Sequence, residues 1–74
     1  MISHSSPSHS MTVRVRFQRR PGALAAIATT IGQHEALIGS IPIVKIEREK
    51  VTRDFEIYAG DEEHQQRIIN AIKE

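Results

Sequence analysis

The chain has 74 residues and no cysteine, which allows one small domain and excludes both a disulfide framework and a thiolate zinc site. Its ten basic and nine acidic residues nearly cancel, so the basic excess of a nucleic-acid binder is missing. No apolar run approaches the ~20 residues of a membrane span, and the Ser/His-rich start is not a secretory signal. A cytoplasmic protein is the expectation. A domain of this size buries only a modest core, and association with another chain or domain is the usual supplement.

Residues 1–10 (MISHSSPSHS) hold too few apolar side chains to bury anything and predict a disordered tail, leaving 11–74 as the domain. His4 and His9 are read as ordinary polar tail residues rather than metal ligands. From Thr12 to Gln18 the chain alternates, with Val13, Val15 and Phe17 on one face and Arg14, Arg16 and Gln18 on the other. That is the period of a half-buried strand. Arg19-Arg20-Pro21-Gly22 follows, and proline is expected at the first helical position, where its missing N–H costs nothing. Leu24, Ile27, Ala28 and Ile31 then recur at helical spacing over about three turns. Gly32 reads as a C-terminal signal or a position of close approach.

Gly39–Glu49 predicts a second strand. Ile41 and Ile43 share one parity and Val44 and Ile46 the other, so the strand carries a bulge or is buried on both faces at its start. Pro42 fits a strand start, an edge or a bulge. After a polar turn at Glu49-Lys50 the third strand runs Val51–Ala59, with Val51, Phe55, Ile57 and Ala59 on one face and Asp54, Glu56 and Tyr58 opposite. Arg53 interrupts the apolar face near the strand's start, where it could reach solvent. Asp61 is a good N-cap, Glu62 and Glu63 suit the helix dipole, and Ile68, Ile69 and Ile72 form the second helix's stripe.

The order is βαββα. One-sided strands with two helices predict an α+β fold, an antiparallel sheet covered on one face. If the topology is ferredoxin-like, the first and third strands are antiparallel neighbours, and Arg14 and Arg16 face Asp54 and Glu56. Such pairs contribute about 0.2–1 kcal/mol each.

Several of these residues together resemble a known family. The strand Thr12–Gln18, the Arg20-Pro21-Gly22 element, the Ala/Leu/Ile helix and Ile38-Gly39-Ser40-Ile41 resemble an ACT domain. The stretch Ile43-Val44-Lys45-Ile46-Glu47-Arg48, the Arg53-Asp54 pair and Asp61-Glu62-Glu63-His64 are similar to the N-terminal ACT domain of bacterial NAD-dependent malic enzymes. The resemblance covers about residues 12–74. It implies a ferredoxin-like βαββαβ fold, commonly paired into homodimers or higher oligomers. It also implies a regulatory role: an amino acid or other small carboxylic effector binds and changes a neighbouring enzyme. The effector positions it implies are Gln18, Arg19, Arg20, Pro21, Gly22, Ala23 and Leu24 after the first strand. Ile38, Gly39, Ser40 and Ile41 at the start of the second complete them, often across a dimer interface. Malate oxidation, NAD and a divalent metal would belong to a C-terminal catalytic domain absent from this sequence. Two departures stand out. Leu37 occupies the place where many ligand-binding members carry asparagine, and the family's fourth strand is missing, which leaves the Val13–Phe17 edge open.

Read on chemistry alone, Arg19-Arg20-Pro21-Gly22 is the best candidate site. The unpaired first amides of a helix, the positive end of its dipole and two arginines all favour an anion. The plain alternative is a helix start with surface arginines. Gly39-Ser40 offers either close backbone contact and a hydroxyl, or only a turn. His34 and His64 lack ligand partners at metal spacing and are expected to be solvated helix residues. Asp61-Glu62-Glu63 reads as a cap, not a catalytic pair. No Ser-His-Asp order, P-loop or dinucleotide glycine pattern is present, so the chain alone is not expected to be an enzyme. Two functions remain: an effector-binding regulatory module, or an assembly module of the same fold that binds nothing. An RNA-binding sheet would need stacking aromatics, and the open face offers only Tyr58.

Overall fold

The computed structural model describes residues 10–73. The expected tail, with His4 and His9, lies outside the described residues except for Ser10, which opens the first strand. In chain order the elements are β1 Ser10–Gln18, α1 Ala23–Gln33, β2 Leu37–Ser40, β3 Ile43–Ile46, β4 Lys50–Tyr58 and α2 Glu62–Lys73. β4 is central. β1 pairs with it antiparallel from Ser10↔Tyr58 to Gln18↔Lys50. β2 and β3 share the other side, with Ile38↔Ile57 and Ile46↔Val51 as partners. The fold is α+β with an open antiparallel sheet and two helices, compatible with a ferredoxin-like arrangement.

The segment expected to be one strand, Gly39–Glu49, is two shorter ones separated by Ile41-Pro42. Proline has no N–H for the ladder, and the register shifts on both sides of the break. The break is tied down from β4. The Asp54 N–H donates to the Pro42 carbonyl at 3.1 Å, and the Arg53 guanidinium donates to the Ile41 carbonyl at 2.8 Å. Arg53 is thus a half-buried clamp on the kink, not a side chain reaching for solvent. The parity change is a bulge with both faces open: Ile43, Val44 and Ile46 are 49%, 43% and 58% exposed.

Alternation places Phe55 and Ile57 of β4 under the helices, where they are fully buried with Ile31 and Ile68. Each such side chain contributes about 1.5–3 kcal/mol relative to exposure. Met11, Val13, Val15 and Phe17 of β1 pack against this cluster but stay half-buried, because β1 is an edge. The alanines Ala25 and Ala26 of α1 are exposed; Leu24, Ile27 and Ile31 make its contact with the core.

The helix ends explain the remaining local geometry. α2 begins as its sequence predicts: Asp61 Oδ1 accepts the His64 amide at 2.8 Å, an N-cap bond to the third residue of the helix. α1 ends differently. Gly32 is not the left-handed residue; Glu35 is, at φ 62°. The Ala36 amide donates to the Ile31 carbonyl and the Glu35 amide to the Gly32 carbonyl, at 3.3 and 2.9 Å. These are the two bonds of a Schellman motif, sealed by the apolar contact of Ala36 with the core around Ile31. A side chain with a Cβ at the left-handed position costs roughly 1 kcal/mol. Glu35→Gly is therefore expected to stabilise the domain by about 1 kcal/mol and raise its melting temperature by about 4–8 °C, measured by thermal circular dichroism.

Candidate functional site

The loop after β1 is a defined structure. Arg20, Pro21, Gly22 and Ala23 form a β-turn closed by the Ala23 amide donating to the Arg20 carbonyl at 3.2 Å. Gly22 has φ 84° and ψ −11°, the third-position geometry of a type II turn, which favours glycine there and proline before it. Pro21 is accordingly a turn residue and not the first residue of α1, which starts at Ala23. Proline at the second position and glycine at the third was itself the stronger signal. Gly22 becomes the N-cap with no side chain to accept the amides of Leu24 and Ala25. Those donors remain oriented along the positive end of the helix.

The two arginines of the loop separate. Arg19 is turned onto the β3–β4 turn: its amide donates to the Glu49 carbonyl at 3.0 Å, and its guanidinium to the carbonyls of Glu47 and Arg48 at 2.9 and 3.3 Å. It is a structural clamp. Arg20 is exposed and its side chain has no bonded partner among the described residues. Gln18 is the last residue of β1, paired with Lys50. Leu24 belongs to the core periphery.

The second half of the expected site is mostly occupied. Ile38 and Ile41 pack against the core. Gly39 sits at the register shift of β2, and an added Cβ there would meet Tyr58 Cε2 at 2.6 Å, Glu56 Oε1 at 2.7 Å and the Tyr58 hydroxyl at 2.9 Å. The space over its backbone is filled by this chain's own side chains. The Ser40 hydroxyl donates to Glu56 at 3.2 Å. Leu37 points outward, 67% exposed.

The two halves also lie apart. The loop adjoins Lys50 and Ile38 adjoins Ile57, at opposite ends of β4. Seven residue steps along the strand separate these ends, about 23 Å at the usual rise. One chain does not bring Arg20 and Gly39 together.

At the Tyr58 end, the two described histidines are not free surface residues. His64 Nδ1 accepts the Gly60 amide at 2.8 Å, and Nε2 lies in hydrogen-bond contact with the His34 carbonyl. The neutral Nε2–H tautomer satisfies both contacts. His34 Nδ1 contacts the Thr30 carbonyl at 3.0 Å. His64 thereby ties the end of α1 to the start of α2, across an open hollow of about 320 Å³ also lined by Glu35, Asp61 and Arg67. No group of three or more histidine or carboxylate side chains able to hold a metal occurs among the described residues.

On the face of the sheet away from the helices, Arg14 and Asp54 form a bidentate pair at 2.8 and 3.1 Å. Arg16 reaches Glu47, at 3.1 and 3.2 Å, rather than Glu56. The register explains the change: Thr52 stands opposite Arg16, and Glu56 opposite Thr12. Hydrogen bonds from Arg14 chiefly hold the Asp54 carboxyl below its ordinary range; partial desolvation opposes this and the arginine charge adds to it. Glu47 is lowered chiefly by its bonds from Arg16; desolvation opposes, while the charges of Arg16, Lys45 and Lys50 assist. Arg48 and Lys50, which the sequence offered only as part of a polar turn, border the same cleft as Arg16 and Glu47. Recognising them needed the pairing of Gln18 with Lys50, which no local pattern carries.

No protein-family model and no curated protein matches the chain. No helix among the described residues is long and apolar enough to cross a membrane.

Both paired carboxyls have folded pKa values below their unfolded ones. Their contribution is whole above the unfolded carboxylate range at about pH 4, and it is lost as pH falls through the lowered folded values. Acid unfolding followed by circular dichroism should therefore become less steep below about pH 4 in the Asp54→Asn, Glu47→Gln double variant. At the other end, Gly39→Ala is expected to cost about 1–3 kcal/mol in urea unfolding by overpacking against Tyr58. Combining it with Tyr58→Ala should remove most of that increment, leaving the contact with Glu56.

Proposed function

We propose that this domain is an ACT-type regulatory module that binds a small amino-acid or carboxylic effector at the loop between β1 and α1. The observation that carries the reading is the type II turn at Arg20-Pro21-Gly22. It leaves the Leu24 and Ala25 amides uncapped beside an exposed, unpartnered arginine. A carboxylate there meets backbone donors, the positive end of a helix and a guanidinium at once. In this reading the chain performs no catalysis. Following the sequence resemblance, it serves as the regulatory part of a malate oxidoreductase, whose NAD and divalent metal belong to a separate catalytic domain.

A second reading, assembly without a ligand, is favoured by a different observation. The outer edge formed by β2 and β3 exposes Leu37, Ile43, Val44 and Ile46 beside unpaired backbone. An edge of this kind is suited to pairing with another chain. The two readings are compatible. A two-fold pairing of these edges turns the partner end for end, so that the partner's Arg20–Gly22 loop comes to the same end of the sheet as this chain's Ile38–Ser40.

The deciding experiment is an amide NMR titration of the full chain with amino acids and small dicarboxylates, with light scattering on the same samples. Saturable shifts centred on Gly22, Ala23 and Leu24 are the expected outcome. Ile43→Lys with Val44→Lys should reduce a dimer to a monomer. A folded, dimeric chain with no shifts leaves assembly as the function. A folded monomer with no shifts at any concentration sinks both readings.

A further inference from the structure

The near-neutral charge of the chain conceals a strong segregation. The hydrogen bonds of Arg19 lock the β1–α1 loop onto the turn between β3 and β4. Among the described residues, that junction gathers Arg16, Arg19, Arg20, Lys45, Arg48 and Lys50 at one end of the sheet, against Glu47 and Glu49. The opposite end, at the start of α2, carries Glu35, Asp61, Glu62 and Glu63.

Within the basic end, the charges differ in availability. Arg16 and Glu47 neutralise each other through two hydrogen bonds. Arg19 donates to carbonyls, so its charge has no carboxylate against it. Arg20 and Arg48 have no side-chain partner among the described residues, and Lys50 acts on Glu47 through its charge alone, without a hydrogen bond. Arg48 and Lys50 flank an open cleft of about 340 Å³ that also includes Arg16, Glu47 and Glu49.

We propose that the β3–β4 turn, where the β1–α1 loop is clamped onto it, is a binding site for a small dianion, a phosphate or a dicarboxylate, held by Arg48 and Lys50. The inference rests on the effector reading for the loop and adds the turn, which that reading does not include. A single negative charge at so open a place is largely screened. Two negative charges on one small ligand can engage the arginine fork and the lysine ammonium simultaneously, with charge-assisted bonds to each. A zwitterionic amino acid is less suited, since its ammonium would enter a ring of cations in which Glu49 is the remaining unengaged carboxylate. Glu47 is already held by Arg16.

The test is a titration of the full chain with inorganic phosphate, and separately with succinate, at ionic strength held constant with sodium chloride. Acetate and serine serve as controls. Saturable amide shifts at Arg20, Arg48, Glu49 and Lys50 with either dianion support the site, and the more effective of the two identifies its chemistry. The Arg48→Gln, Lys50→Gln double variant should weaken that binding by about tenfold or more, while Arg67→Gln at the other end leaves it unchanged. Both altered turn side chains lie outside the core, so the variant's amide dispersion should match the parent's. Shifts that never saturate, that chloride reproduces, or that survive in the double variant overturn the proposal. Amino-acid shifts at Gly22, Ala23 and Leu24 that persist in the double variant, without any response to dianions, remove this inference and leave the effector reading standing.

Discussion

β4 is the one strand on which the sheet depends. Every other strand hydrogen-bonds to it: β1 along its whole length on one side, β2 and β3 in succession on the other. Its inward residues Phe55 and Ile57 are the sealed centre of the core, and its outward residue Asp54 holds the ion pair with Arg14. Its half-buried Arg53 fixes the break between β2 and β3. Because β4 takes the central position, β1 and β2–β3 are left as edges. The half-burial of Met11, Val13, Val15 and Phe17 and the exposure of Ile43, Val44 and Ile46 are consequences of the same constraint.

The length of β4 also sorts the chemistry. Loops at its Lys50 end collect the basic residues, through the clamp of Arg19 on the β3–β4 turn. Loops at its Tyr58 end collect the helix junction, where His64 joins α1 to α2 and Asp61 caps the second helix. A composition with ten basic and nine acidic residues argues against a broad nucleic-acid surface, yet it conveys nothing of this polarity. The separation comes from strand direction: the loop leaving β1 and the start of β2 are at opposite ends because both strands run antiparallel to the strand between them.

Most of the element order was legible in the sequence because period-two alternation is strong in Thr12–Gln18 and Val51–Ala59 and the Asp61 cap is unambiguous. The failures have physical causes. Pro21 was read as helical because the rule for a first helical position and the rule for a type II turn share a proline; the glycine after it decides between them. Gly32 reads as either a C-terminal signal or a position of close approach, whereas it is Glu35 that adopts the left-handed conformation, held by the burial of Ala36 in the core. That is tertiary packing overriding local preference. A ferredoxin-like topology sets Arg14 and Arg16 against Asp54 and Glu56 without fixing the register; the register places Arg16 opposite Thr52, and it bonds Glu47 instead. The roles of His64 and Tyr58 depend on contacts across long sequence separations that no spacing rule contains.

These contacts bear directly on where recognition can occur. Gly39 reads in the sequence as either a close approach to the backbone or only a turn; Tyr58 and Glu56 cover it, and Ser40 is bonded to Glu56. Leu37 beside them is apolar and exposed. This half of the expected site therefore offers a single chain little free polar chemistry and much apolar surface, which suits contact with protein better than contact with a small charged molecule. The other half is the reverse: an exposed arginine, uncapped amides and a cleft flanked by Arg48 and Lys50. Under the proposed reading, this asymmetry would divide the labour between the two ends of β4: ligand discrimination would fall to the loop and turn at the Lys50 end, and the β2–β3 edge would be left to position a second chain.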